Sequence, residues 1–403
     1  MDILFLSSLC SIREYKRMFQ IYGTTSSHAS QKFNRLFVTG LVENGCHVET
    51  LTQRIILQGG ENDLHCNSEC ENGINFTYIP RKASKIHNRI STVKYAYDFI
   101  LKWIKEHPDG ILFCDIILGE LSIAVFLASK IRYFNKIAIV TDVPSIRAGD
   151  GRKGVRSVPV KIKNCLIGNY DGFVFLTEQM NLELNKKNKP YGVVEGFADN
   201  KITDIPNALQ DKYSEKVIIM AGLLEDIYGV ETLLYAFEQI EDKDARLRFY
   251  GRGGSVSKIE TAAKKDSRIT YCGEVTNDQI VAEEKKATLL INPRPALGKW
   301  TAYSFPSKNM EYMASGTPLV AYALPCMPNE YLHHFFMIEE NSVECMKATL
   351  LDLLSRDRSQ LHNFGLEAQR WISDEKCPQR QINKVISVIT KITEKKQTNK
   401  EAR

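Results

Sequence analysis

Short, almost continuously apolar runs alternate with helix-patterned segments along most of this chain, and no other feature limits its fold as strongly. In the first half the runs are Ile3–Leu6, Ile74–Ile79, Ile111–Cys114, Ile137–Val140, Phe173–Leu176 and Val193–Val194. A strand with one wet face alternates polar and apolar residues, whereas an unbroken apolar strand is covered on both sides. Helical segments separate most of these runs. One spans about Ala29 to Asn44, with Phe33, Leu36, Phe37, Gly40 and Leu41 on a single face and Gly45 as its stop. The first strand is expected to lead into it through a long polar loop containing Gly23, Thr24 and Thr25. A second series starts near Lys216. It reads KVIIMAG, a helix over Gly229–Ile240, RLRFYG, a helix near Ser257–Lys265, ITYCG, a helix near Asn277–Lys286, and ATLLINP. Two such series predict an α/β protein built from two doubly wound parallel sheets.

The length supports this reading. With 403 residues, 43% of them hydrophobic, the chain can bury two separate cores. The Asp/Asn/Pro-containing stretch Ala198–Tyr213 is the expected linker, and the tail Lys395–Arg403 is expected to be disordered. A net charge of +5 is mild, and no nucleic-acid partner is expected. Ten cysteines without regular pairing suggest reduced thiols in a cytoplasmic protein. His65, Cys66 and Cys70 are close enough to suggest a metal, but no second pair completes a ligand set, so loop cysteines are expected. The longest apolar stretch, Ile111–Ala128, is interrupted by Asp115, Gly119 and Glu120 and fits a strand and helix better than a membrane span. The amino-terminal MDILFLSS is too short for a secretory signal and reads as the first strand.

The candidate site is the stretch YSFPSKNMEYMASGTPLVAY, from Tyr303 to Tyr322. Pro306 ends what precedes it, Ser307–Ala314 suits a short helix, Gly316 stops that helix, and Pro318–Tyr322 leaves as a strand. The helix therefore starts just beyond the carboxyl end of the strand ATLLINP, where open α/β sheets bind ligands. Ser307 and Lys308 occupy its first turn, whose backbone N–H groups favour a phosphate. Arg294 can add a planar guanidinium fork. Glu311, one turn on, can accept hydrogen bonds from the two hydroxyls of a ribose. Together they suit a nucleotide diphosphate. A capped surface helix with solvated Lys308 and Glu311 fits the same spacing.

This stretch resembles the donor-site segment of retaining GT-B glycosyltransferases of glycosyltransferase family 4. ASGTPLVA (Ala314–Ala321) matches the family's turn, and Glu311 matches the second of its paired glutamates. The first falls on Tyr303, so the chain is similar to a variant with an FPSK loop. DGFVFLTEQM, VVEGFAD, AGLLEDIYGVETLLYAF and LRFYGRGG resemble further family segments in the correct order. The resemblance implies two Rossmann-like domains facing across a cleft, the GT-B fold. Residues 1–197 would form the acceptor-side domain and 198–377 the nucleotide-sugar domain. Residues 378–403 would supply a helix crossing back to the first domain and the tail. It further implies transfer of a hexosyl group, with retention, from a nucleotide sugar to a glycan or lipid-linked acceptor, in cell-surface polysaccharide or glycoconjugate synthesis.

Donor binding is thus assigned to Arg294, Ser307, Lys308 and Glu311. The positions where the family commonly places a diphosphate-binding arginine and lysine hold Leu223 and Tyr228, which leaves that charge to Arg294 and Lys308. Asp142, in IVTDVPS, matches the aspartate of a His-Asp pair facing the cleft, with Thr141 in place of the histidine. It is the candidate catalytic residue, although Asp-x-Pro equally suits an Asx turn. Asp115 has the same ambiguity. No cofactor or metal is expected, since leaving-group charge falls to helix termini and basic side chains. A non-catalytic two-domain sugar- or nucleotide-binding protein is the main alternative; an epimerase would need paired acid and base groups.

Two basic segments bear on location. Arg81–Lys105 carries seven Lys/Arg against Asp98, with Tyr95, Tyr97, Phe99 and Trp103 interleaved, and Arg147–Lys163 adds six against Asp150. An anionic membrane surface is one possible partner, which would place the protein peripherally at the inner face of the membrane; a solvated basic face is the other reading.

Overall fold

A computed structural model describes residues 1–22, 28–54, 68–82, 84–143 and 165–401. They form two compact units. One comprises the described residues of 1–197 with 378–401, and the other is Ala198–Cys377.

The first unit runs β1 (Asp2–Ser7), α1 (Ile12–Tyr22), α2 (His28–Glu43), β2 (His47–Thr52), β3 (Glu69–Glu71), β4 (Ile74–Tyr78), α3 (Lys85–Glu106), β5 (Ile111–Asp115), α4 (Gly119–Ile131), β6 (Asn135–Val140), β7 (Gly172–Phe175), α5 (Glu178–Leu184) and β8 (Tyr191–Val193). Its sheet order is β3-β4-β2-β1-β5-β6-β7-β8. Only the edge pairing of β3 with β4 is antiparallel. β5 and β6 are buried at every position, which explains their unbroken apolar runs.

Two elements were hidden by polar composition. The expected loop after β1 holds α1, which buries only Glu14 and Met18. Its start is marked by Ser11, whose Oγ accepts from the Glu14 N–H at 2.9 Å, a Ser-x-x-Glu signature. β2 carries His47, Glu49, Thr50 and Thr52, yet it pairs with both β1 and β4. Gly23, Thr24, Thr25, His65, Cys66 and the Arg147–Lys163 segment lie outside the described residues. Cys70 is an exposed free thiol.

The second unit contains α6 (Asn200–Thr203), β9 (Lys216–Leu223), α7 (Val230–Glu238), β10 (Ala245–Arg252), α8 (Val256–Lys265), β11 (Ile269–Tyr271), α9 (Asn277–Lys286), β12 (Leu289–Asn292), α10 (Ser307–Ser315), β13 (Leu319–Ala321), β14 (Phe336–Met337), α11 (Val343–Ser355) and α12 (Arg358–Glu375). Its six strands are parallel, in the order β11-β10-β9-β12-β13-β14. The strand order reverses between β9 and β12, so the crevice beyond their carboxyl ends is the switch point of a doubly wound sheet. The stretch Ala198–Tyr213 is not a loose linker. Asp199 caps α6, and Asn207 donates to the Ser315 carbonyl at 2.7 Å, fastening the segment to this unit.

The last helix, α13 (Pro378–Glu401), belongs to the first unit. Ile382, Val385, Val388, Ile389 and Ile392 enter that unit's core. The approach is close because glycines line it: a Cβ on Gly40 would lie 2.6 Å from both Ile382 Cγ1 and the Pro378 carbonyl.

Candidate functional site

The site is assembled at the second unit's switch point. α10 is locked there by Tyr312, which is fully buried. Its hydroxyl accepts from the Ala221 N–H at 2.7 Å, at the end of β9, and donates to the Ala221 carbonyl at 3.2 Å. Asn292, the last residue of β12, donates to Asn309 Oδ1 at 2.5 Å. Gly316 closes α10 in the left-handed conformation, φ 77°. The loops after β9 and β12 meet at Gly229, φ 82°, where a Cβ would stand 2.0 Å from the Pro293 carbonyl. No residue with a side chain could hold that turn against that loop.

The starting turn of α10 has no side-chain cap, because its N-cap residue is Pro306. Ser307 is exposed in that turn. The Asn309 N–H turns back to the Pro306 carbonyl at 2.9 Å, while no side chain caps the N–H groups of Ser307 and Lys308.

Lys308 and Glu311 are brought together in an ion pair one turn apart. Lys308 also lies 3.2 Å from Glu284 of α9, a carboxylate with no solvent exposure. Burial works against the Lys308 ammonium, but Glu284 and Glu311 outweigh it and hold its pKa above the usual lysine value. The sequence reading missed Glu284. It sits among charged neighbours in AEEKKA, a run that looks solvated on a polar helix.

Arg294 follows β12 and is only 7% exposed. It has a different environment from Lys308. Its Nη2 donates to the Ser304 carbonyl at 3.0 Å, its guanidinium lies 4.1 Å from the Trp300 ring centre, and Tyr228 stands on a further side at 5.9 Å. It forms no ion pair among the described residues, and its buried Nε–H has no acceptor. Burial lowers its pKa, against opposing influences from Cys326 and Tyr228. Tyr228, at a position where the resemblance implied a cation, thus stands against Arg294 instead, and Leu223 is half exposed.

Asp142 lies two residues beyond the end of β6 in the first unit and is half-buried. Asp115 closes β5 at the first unit's own switch point, between β1 and β5. Burial pushes its carboxyl up to about 6, although the Ile117 N–H, at 3.1 Å, and Asn34 favour the anion. Among the described residues no group of three or more His, Cys, Asp or Glu is placed to hold a metal ion.

Two doubly wound α/β units of this kind define the GT-B fold of glycosyltransferases. Sucrose-phosphate synthase from Thermosynechococcus elongatus has a similar structure, with a TM-score of 0.65 and 12% identity over 100% of both chains. A glycosyltransferase from Rickettsia africae gives 0.63 and 12%, covering 97% of this chain and 98% of its own. HepE of Anabaena, in complex with UDP and glucose, gives 0.59 and 12%, covering 99% and 100%. Residues 215–356 match the model of the family described as glycosyl transferases group 1, so the second unit carries a domain of that group. No curated protein sequence matches the chain.

Proposed function

We propose that this protein is a retaining glycosyltransferase moving a hexosyl group from a nucleotide-diphosphate sugar to a glycan or lipid-linked acceptor, in cell-surface polysaccharide or glycoconjugate synthesis. The observation that carries the reading is Arg294. A buried guanidinium without a carboxylate is costly unless an anion completes it, and this one lies where an α/β sheet binds its ligand. A diphosphate is that anion. The uncapped start of α10 serves the same phosphates through Ser307 and Lys308, and Glu311 turns from Lys308 to the ribose hydroxyls. Lys308 keeps Glu284 as its counter-ion and donates to the phosphates. Charge growing on the leaving diphosphate meets these fixed donors without the need of a metal. Asp142 is the candidate to orient the acceptor or the transferred sugar. The reaction takes place in the cytoplasm.

The test is an assay of the purified protein against a panel of UDP-, GDP- and other nucleotide sugars, with and without a chelator. Release of the nucleoside diphosphate, with retention at the anomeric carbon of the product, is the expected result. Saturable nucleotide-sugar binding without hydrolysis or transfer to any acceptor would favour a binding protein instead. Loss of activity with chelator would overturn metal independence.

A further inference from the structure

Helix α3 begins with turns that bury nothing. Lys85, Ile86, His87, Arg89 and Ile90 are all exposed, and the first buried side chain is Thr92. α13, by contrast, turns Ile382 and Ile389 into the core of the first unit. Ile86 and Ile90, one turn apart on one face, are instead 72% and 63% exposed.

Cations surround the pair. Lys82, Lys85, Arg89 and Lys94 are exposed, and the one ion pair these four make among the described residues joins Arg89 to Glu120 at 3.2 Å. The first turn of α3 has no acidic residue, so the positive end of the helix reinforces the lysines. The distal half of the helix differs. Trp103 is buried and donates to Glu49 at 3.0 Å, and Tyr95 stacks on Phe99, so those aromatics are not part of the exposed face.

We propose that the first two turns of α3 dock the protein on an anionic lipid surface, with Ile86 and Ile90 among the acyl chains and Lys82, Lys85, Arg89 and Lys94 on the lipid phosphates. Charge complementarity selects the occupant. A nucleic acid would use the cations and leave the isoleucines in water, whereas a bilayer interface takes both together. Placement agrees. α3 follows β4 and so starts at the carboxyl rim of the first unit's sheet, the edge where such sheets take ligands. Ile117, just after β5 on the same rim, is also exposed at 47%. A lipid-linked acceptor in that surface would reach this rim directly. This last point rests on the proposed transferase reading; the docking itself does not.

The experiment is co-sedimentation of the full chain with vesicles of phosphatidylcholine alone or mixed with phosphatidylserine. UDP binding by calorimetry is measured on every variant without vesicles. Wild type is expected to sediment with the mixed vesicles only, and to be released by salt. Ile86→Ser with Ile90→Ser, and Lys82→Glu with Lys85→Glu, are each expected to lower the partition about 10-fold or more. All four positions are exposed, so UDP affinity should not change. Equal recovery on neutral and anionic vesicles, or unchanged partition of both double variants, overturns the docking face and leaves the donor site standing. Loss of UDP binding in wild type would strike the transferase reading instead.

Discussion

The Lys308 ammonium lies 3.2 Å from Glu284, a carboxylate with no exposure to solvent, while Glu311 holds the same lysine from within its own helix. One cation thus serves two acids at the mouth of a switch-point crevice. Lys308→Ala would leave both carboxylates without it. We expect a loss of about 3 kcal/mol in stability and about 10-fold or more in UDP affinity. Adding Glu284→Gln should restore much of the stability but not the affinity. Urea unfolding and calorimetry on the single and double variants separate the two effects. If the double variant also regains UDP affinity, Lys308 acts only through the fold.

Arg294 should behave as a specific anion fork. Arg294→Ala is expected to cost about 1.5–3 kcal/mol in UDP binding, and Arg294→Lys to recover only part, since an ammonium has no planar pair of donors. Trp300→Ala removes the ring beneath the guanidinium and should cost less, about 0.5–1 kcal/mol. Isothermal titration with UDP and with pyrophosphate reads all three. Wild-type affinity in Arg294→Ala would remove it from the site.

Stability of the second unit should rise with pH above neutrality. Lys212 donates to the Ala287 carbonyl at 3.0 Å and to Thr317 Oγ1 at 2.8 Å, and burial, with Lys285 and Arg358 nearby, pushes its pKa down to about 7. Burial likewise pushes Lys285 down to about 8, against the opposing pull of Glu284. An unfolded lysine keeps its proton to about pH 10.4. Between these limits the unfolded chain binds more protons, so unfolding becomes harder as pH rises. Denaturation midpoints of the second unit at pH 7 and pH 9 check the sign. Lys212→Met should flatten the slope, and an unchanged slope would show that this lysine does not set it.

Gly40→Val should push α13 off the first unit. Its side chain would enter space held by Ile382 and the Pro378 carbonyl, and overpacking of this kind costs about 1–3 kcal/mol. Hydrogen exchange is the sensitive readout. Protection should fall in α2, β7 and β8, the elements against which α13 packs. Ending the chain before Pro378 should have the same effect in stronger form. Protection lost mainly in the second unit would contradict this account.

Periodicity was enough to read the alternation of strands and helices, except at α1 and β2, where polar composition hid it. Unbroken apolar runs such as Ile111–Cys114 and KVIIMAG became strands covered on both faces, and helical stripes such as Phe33–Leu41 became their cover, because burial imposes those patterns on any sequence. Local spacing put Lys308 and Glu311 one turn apart, where each was expected to face a ligand; that they pair with each other came from the structure. What lies outside local spacing came only from tertiary structure. Glu284 reaches Lys308 because α9 packs beside α10, and its neighbours in sequence say nothing of that. Trp300 and Tyr228 enclose Arg294 because two loops converge at a strand-order reversal. Ile86 and Trp103 share one amphipathic helix, yet one is exposed and the other buried, and packing against the rest of the first unit made that choice. A sequence records which face of an element is apolar, but which elements meet, and which charge is left without a partner, is decided where separate segments pack.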